Sequence, residues 1–207
     1  MKKRLPNELL IATRNEGKVA ELRPLLVRAL PIKLRSLAEF PEIGEVEETG
    51  VTFAENASLK AKAYAEQSRL WTLSDDSGLE VDALNGAPGV YSARYGGHDL
   101  TFAERIRRLL EEMSRSGDAD RRARFVCTIA IANPKGEIVN LSTGICEGLI
   151  AQAPRGMNGF GYDPVFVPEG YDQTFGELSN EIKERISHRA RALFAARSFL
   201  FENFSIG

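Results

Sequence analysis

Long apolar runs are missing from this sequence. Nowhere do about 18 apolar residues follow one another, which excludes a transmembrane helix. The basic start, Met1-Lys2-Lys3-Arg4, is followed only by the short apolar stretch Leu9 to Ala12. That is too short for the core of a signal peptide, so a cytoplasmic protein is expected. An excess of positive charge is missing as well. The net charge is −2, so no global basic field draws in nucleic acid. No internal repeat and no low-complexity tract occurs. Cysteine is scarce: there are two, Cys127 and Cys146. Both fall in one expected hairpin turning at Asn133-Pro134-Lys135-Gly136. If Asn133 pairs with Gly136, Cys127 lies opposite Ser142. Cys146 is then four residues further on, about 13 Å at strand spacing. A disulfide needs Cα atoms within about 7 Å, so both thiols are expected to be reduced.

What is present is ordinary globular composition: 207 residues, 43% hydrophobic and 27% charged. That suffices for one large or two-lobed domain. The most informative stretch runs from Leu73 to Tyr95. A short apolar strand, Leu70-Trp71-Thr72-Leu73, leads into Asp75-Asp76-Ser77-Gly78. Two acids at a strand end beside a glycine suit a hard cation. In open α/β sheets, ligands bind beyond the carboxyl ends of strands. The plain alternative is a solvated turn.

Taken in order, Glu8 to Ala12 reads as a strand. A helix follows from about Glu16 to Leu30, with Val19, Leu22, Leu25, Leu26 and Leu30 at helical spacing. Pro24 falls inside it and should kink it or end its first turn. The turn between them, Thr13-Arg14-Asn15-Glu16-Gly17-Lys18, stands at a helix N-terminus, where free N–H groups suit phosphate. It is not a Walker A loop, because the upstream glycine is missing and Val19 stands where Ser or Thr is required. Simple capping by Thr13 or Asn15 explains it equally. Ile32 to Leu37 reads as a second strand, and Glu39 to Gly50 as an acidic loop. Within it, Glu48 stands just before the next helix, where a carboxylate could face a metal. That helix, Phe53 to Arg69, puts Asn56, Lys60 and Tyr64 on one stripe at a spacing of four. Lys60 either reaches a phosphate or is a surface lysine.

Thr101 to Met113 reads as a helix with a capping box between Thr101 and Glu104. Its Arg105, Arg107 and Arg108 alternate with Glu111 and Glu112, as in a salt-bridged surface. Ala123 to Asn133 and Glu137 to Ile150 are the hairpin strands. Gly156 to Pro168 then frames Phe160, Tyr162 and Asp163 with glycines. Aromatics there either stack on a base or belong to the core. Ser187-His188-Arg189 opens the last helix, where a cation is disfavoured at the N-terminus.

Together and in this order, Thr-Arg-Asn-Glu-Gly-Lys, Ser-Asp-Asp-Ser-Gly-Leu-Glu-Val-Asp, Gly-Ala-Pro-Gly-Val-Tyr-Ser-Ala-Arg-Tyr, Gly-Phe-Gly-Tyr-Asp-Pro-Val-Phe and Ser-His-Arg are specific. From Leu10 to about Ala195 the chain closely resembles the inosine triphosphate pyrophosphatase family, also called dITP/XTP pyrophosphatases. The resemblance implies an α/β fold: a long mixed β-sheet flanked by helices, in two lobes with a nucleotide cleft between them. Residues 1–207 would form that single domain. It implies a homodimer that binds small-molecule purine nucleotides, with no nucleic acid and no membrane. The implied reaction uses Mg²⁺ to hydrolyse ITP, dITP and XTP to monophosphate and pyrophosphate, clearing deaminated purines from the nucleotide pool.

Carried over by motif, Thr13, Arg14, Asn15, Glu16, Gly17 and Lys18 bind the triphosphate, with Lys60 nearby. Glu48 and Asp76 hold the metal, Asp76 also accepts the proton, and Ser77 contacts substrate. Phe160, Gly161, Tyr162, Asp163, Lys183, His188 and Arg189 surround sugar and base. Arg189 suits the O6 and N7 acceptors of a 6-oxopurine. The alternative for Arg189 is a structural pair with Glu181 or Glu184. Two other functions stay open: a Mg²⁺-dependent pyrophosphatase for a pyrimidine or modified nucleotide, and a non-catalytic nucleotide or RNA binder.

Overall fold

The computed structural model describes residues 3, 4, 6–29 and 32–205. In chain order the elements are β1 (Lys3–Arg4), β2 (Glu8–Ile11), α1 (Glu16–Ala29), β3 (Lys33–Ser36), α2 (Phe53–Ser68), β4 (Trp71–Val81), α3 (Phe102–Ser116), β5 (Arg122–Ala132), β6 (Ile138–Ile150), β7 (Phe166–Pro168), α4 (Asn180–Ile186), α5 (His188–Asn203) and β8 (Phe204–Ser205). Six strands form one sheet in the order β3-β2-β4-β5-β6-β7. The sheet is mixed: β2 runs parallel to β3 and β4, while β6 and β7 are antiparallel. No helix among the described residues is long and apolar enough to cross a membrane.

The chain divides into two compact units. Unit 1 takes the residues up to Asp76, then 127–144, then those from Arg189 on. Unit 2 takes Ser77–Val126 and Ile145–His188. Strand β4 therefore passes from one to the other between Asp76 and Ser77.

In unit 1, Leu9 and Ile11 of β2 pack with Leu22 and Leu26 of α1 and with Leu193, Ala196 and Leu200 of α5. The α2 face is built from Ala57, Ala61 and Ala65, which meet Ala130 and Ala132 of β5. These small side chains at a spacing of four let the helix lie close on the sheet. In unit 2, Leu79 and Val81 pack with Ile106, Leu109, Phe166 and Phe175.

Several expectations need correction. The strand that should end at Leu73 continues to Val81. Asp75, Asp76, Ser77 and Gly78 lie inside it, so the acids are mid-strand residues and not a strand-end turn. Helix α1 runs through Pro24 to Ala29; Leu30 lies outside the described residues. The hairpin turn closes with the Gly136 N–H on the Asn133 carbonyl at 2.9 Å, but the Asn133 N–H bonds Glu137 O at 3.0 Å, not Gly136. Gly136, at φ +79°, supplies the left-handed residue of this bulged turn. The register at the turn thus shifts by one, and both cysteines are free and buried. Arg105 does not join a surface network. It is buried, donating to Gly97 O at 2.9 Å and His98 O at 3.2 Å. The Thr101–Glu104 capping box forms as expected.

Candidate active site

Neighbouring residues of a strand point to opposite faces. Asp75 and Asp76 sit side by side in β4, and this alternation separates them. Asp75 is fully buried. Its Oδ2 lies 3.1 Å from Lys18 Nζ and 3.3 Å from Arg189 Nε. Burial alone would raise its pKa, but Lys18, Arg189 and Lys60 outweigh that and hold it well below the usual carboxylate range. Arg189 also pairs with Glu21 of α1. This buried knot ties β4, α1 and α5 together inside unit 1.

Asp76 faces another set. Its Oδ2 accepts from Asn56 Nδ2 at 3.1 Å, and its Oδ1 lies 3.8 Å from Lys60 Nζ. Lys60 also forms a close ion pair with Glu48. Burial, opposed by Lys60 and Lys18 and assisted by Glu48, leaves the Asp76 pKa raised. A more basic carboxylate is a better proton acceptor near neutrality. For Lys60, burial opposes the charge, but Asp76, Asp75 and Glu48 prevail and its pKa is raised. Glu48 and Asp76 thus converge on one cation. Two carboxylates around a single positive charge are a hard-oxygen donor set, and these residues fit Mg²⁺.

The turn before α1 is capped as one reading had it. The Lys18 N–H donates to Asn15 Oδ1 at 3.0 Å, and the Asn15 N–H to Thr13 Oγ1 at 3.2 Å. Arg14 is exposed and donates to Ile43 O at 2.5 Å, so it ties the turn to the acidic loop. Glu16 is exposed and opens the helix, and Gly17 follows in its first turn. Lys18 completes the approach to Asp75.

Unit 2 gathers a second group. Lys183 is buried, pairs with Asp163, and sits 5.0 Å from the Phe160 ring centre and 5.5 Å from that of Phe175. Asp163 Oδ2 also accepts from the Phe160 N–H at 2.6 Å. A Cβ at residue 159 would lie 2.0 Å from that oxygen, so Gly159 is required there. Gly161 and Ser77 are half-buried. His188 is 4% exposed and stacks on Phe125 with ring centres 4.7 Å apart.

Two of the candidate residues are deeply buried. Tyr162 is a core residue: it is 2% exposed, meets Phe102 edge-on at 5.7 Å, and donates from its hydroxyl to Ser92 O at 3.0 Å. It offers no open face to a base. Arg189 is 2% exposed and pairs with Asp75 and Glu21, which places it in the buried knot of unit 1. Sequence reasoning missed the parts played by Asn56 and Glu21. The spacing of Asn56 from Lys60 was the available signal for the first.

A model of the Ham1 family matches residues 9–199. The dITP/XTP pyrophosphatase of Gloeobacter violaceus is 52% identical over 185 residues, covering 89% of this chain and 90% of its own. That of Bacillus anthracis is 48% identical over 190 residues, covering 90% and 92%. The structure of a HAM1 protein from Coxiella burnetii superposes with a TM-score of 0.87 at 45% identity, covering 94% of this chain and 98% of that one. The Staphylococcus aureus Ham1 protein gives 0.82 at 41% identity, covering 93% and 97%. By sequence, fold and the order of its motifs, the chain belongs to the Ham1 family.

Proposed function

We propose that this chain hydrolyses non-standard purine nucleoside triphosphates, ITP, dITP and XTP, to the monophosphate and pyrophosphate. The observation that carries the reading is the convergence of Glu48, Lys60 and Asp76, with Lys18 beside Asp75, in a chain whose relatives bear the name dITP/XTP pyrophosphatase. Water attacks the α-phosphorus, the bond to the bridging oxygen breaks, and pyrophosphate leaves with the electron pair. Asp76 takes the proton of the attacking water. Lys18 and Lys60 offset the charge of the phosphates. Mg²⁺, held by Glu48 and Asp76, would neutralise phosphate charge and make the water more acidic. The capped N-terminus of α1 presents N–H groups to the phosphates. Phe160, Asp163 and Lys183 form the sugar and base side, with Phe160 as the half-buried stacking face.

Residues 1–207 form a single pyrophosphatase domain. The protein works as a cytoplasmic homodimer. Pyrophosphate release measured with ITP, XTP, dITP, GTP and ATP in Mg²⁺ tests the reading. Turnover should favour ITP and XTP over ATP and GTP by a wide margin. Preference for a pyrimidine triphosphate would move the enzyme to another substrate class, and absence of turnover on every nucleotide would make it a binder.

A further inference from the structure

Asn56, four residues into α2, has no exposed surface, and both ends of its amide are engaged. The Gly50 N–H donates to its Oδ1 at 2.7 Å, and its Nδ2 donates to Asp76 Oδ2 at 3.1 Å. A backbone N–H can only donate, so the amide oxygen must face Gly50. The NH₂ group must then face Asp76. The loop backbone decides how the amide is turned, and the amide decides which Asp76 oxygen is occupied. The other oxygen, Oδ1, is left on the Lys60 side, 3.8 Å from Nζ.

This contact is one of three in a regular series. The Val46 N–H meets the Tyr64 hydroxyl at 3.3 Å, Glu48 pairs with Lys60, and the Gly50 N–H meets Asn56. The loop advances two residues while the helix retreats four. A chain at strand spacing covers about 6.6 Å in two residues. Four helical residues rise about 6 Å. The two repeats therefore stay in step across all three contacts. Exposure in the loop follows the same alternation: Val46, Glu48 and Gly50 are half-buried, while Glu47 and Thr49 are exposed. At Gly50 a Cβ would lie 2.7 Å from Asn56 Oδ1, so only glycine allows the approach.

We propose that Asn56 is a positioning residue for the hydrolysis: it fixes the loop carrying Glu48 and turns the Asp76 carboxylate so that Oδ1 faces Lys60 and Glu48. The proposal rests on the reading of Asp76 as the proton acceptor. Asn56 touches no reacting atom; it acts through Asp76.

Steady-state kinetics on Asn56→Ala and Asn56→Asp, with hydrogen exchange at the Gly50 amide, test this. Asn56→Asp keeps an acceptor for Gly50 but replaces the donor toward Asp76 by a second carboxylate. Its Gly50 amide should stay protected. Its kcat on ITP should fall about 10- to 100-fold, as for the loss of one hydrogen bond to a charged group. KM should change less than about threefold, since the group serves only the reacting state. Asn56→Ala should lose kcat and Gly50 protection together. A folded Asn56→Ala with wild-type kcat overturns the proposal. If that variant does not fold, Asn56→Asp decides: Gly50 protected with kcat unchanged overturns it equally. Asp76→Asn separates this from the parent reading. If Asp76→Asn keeps turnover, the role of Asp76 fails. If Asp76→Asn is inactive while Asn56→Ala turns over normally, only the role of Asn56 fails.

Discussion

Asp75 and Asp76 share a peptide bond, yet the cation nearest each carboxylate is different. Asp75 lies 3.1 Å from Lys18, and Asp76 lies 3.8 Å from Lys60 on the other face of the strand. Two acids that look interchangeable in sequence therefore have different surroundings: one lies between Lys18 and Arg189, the other between Asn56 and Lys60.

Their isosteric variants should separate cleanly. Asp76→Asn should abolish ITP turnover and leave the unfolding temperature close to wild type. Asp75→Asn removes the shared anion of a buried pair of cations, which costs about 3–5 kcal/mol. For a chain of this size that lowers the melting temperature by roughly 6–20 °C. Thermal unfolding and pyrophosphate release on both variants check it. Full activity in Asp76→Asn, or undiminished stability in Asp75→Asn, would reverse the assignment.

Lys18→Ala and Lys60→Ala should weaken binding through the phosphates. Each should raise KM for ITP and XTP by the same factor, about tenfold for a loss near 1.4 kcal/mol. A loss that depends on the base would place that lysine against the ring.

Arg189→Ala should lower the melting temperature and cut kcat/KM for ITP and ATP alike, because it strands Asp75 and Glu21. Arg189→Lys should restore little, since a single ammonium does not reproduce a guanidinium that spans two carboxylates. A loss confined to ITP would return Arg189 to the base edge.

Cys127 should be inert. Burial, with the nearby Asp75 adding to it, pushes its thiol up to about 12. The thiolate is the reactive form, so raising the pKa leaves the neutral thiol at pH 8. Cys146 is 2% exposed and shielded from reagent. Ellman's reagent should find no thiol in the native protein and both after denaturation. Labelling of the folded chain would show that the sheet opens here.

Much of the architecture was legible because its signals are local. The Thr101 capping box, the Asn-Pro-Lys-Gly turn and the stripe of Asn56, Lys60 and Tyr64 each depend on spacing within a few residues. What failed were cases in which polarity and burial part company. Strand β4 runs on past Leu73 because Ser74, Asp75 and Asp76 are buried polar groups with internal partners, and hydropathy reads such a segment as a turn. Arg105 looked like a surface cation for the same reason. Phe160 and Tyr162 are both aromatic, and nothing in the pattern says which turns inward. For Arg189 the sequence offered nearby acids, whereas its pairing with Glu21 spans 168 positions, beyond the reach of any local pattern.

The paired repeat between the acidic loop and α2 works like a vernier, and it constrains length more tightly than composition. Glu47 and Thr49 point away from the helix, so side chains there can vary freely. One residue added or removed between Val46 and Gly50 would swing Glu47 or Thr49 toward Lys60 and carry Glu48 outward. The acid would still be in the chain, one position from its place, and on the wrong side of the loop. In this stretch a one-residue insertion or deletion is a harsher change than almost any substitution at the outward positions.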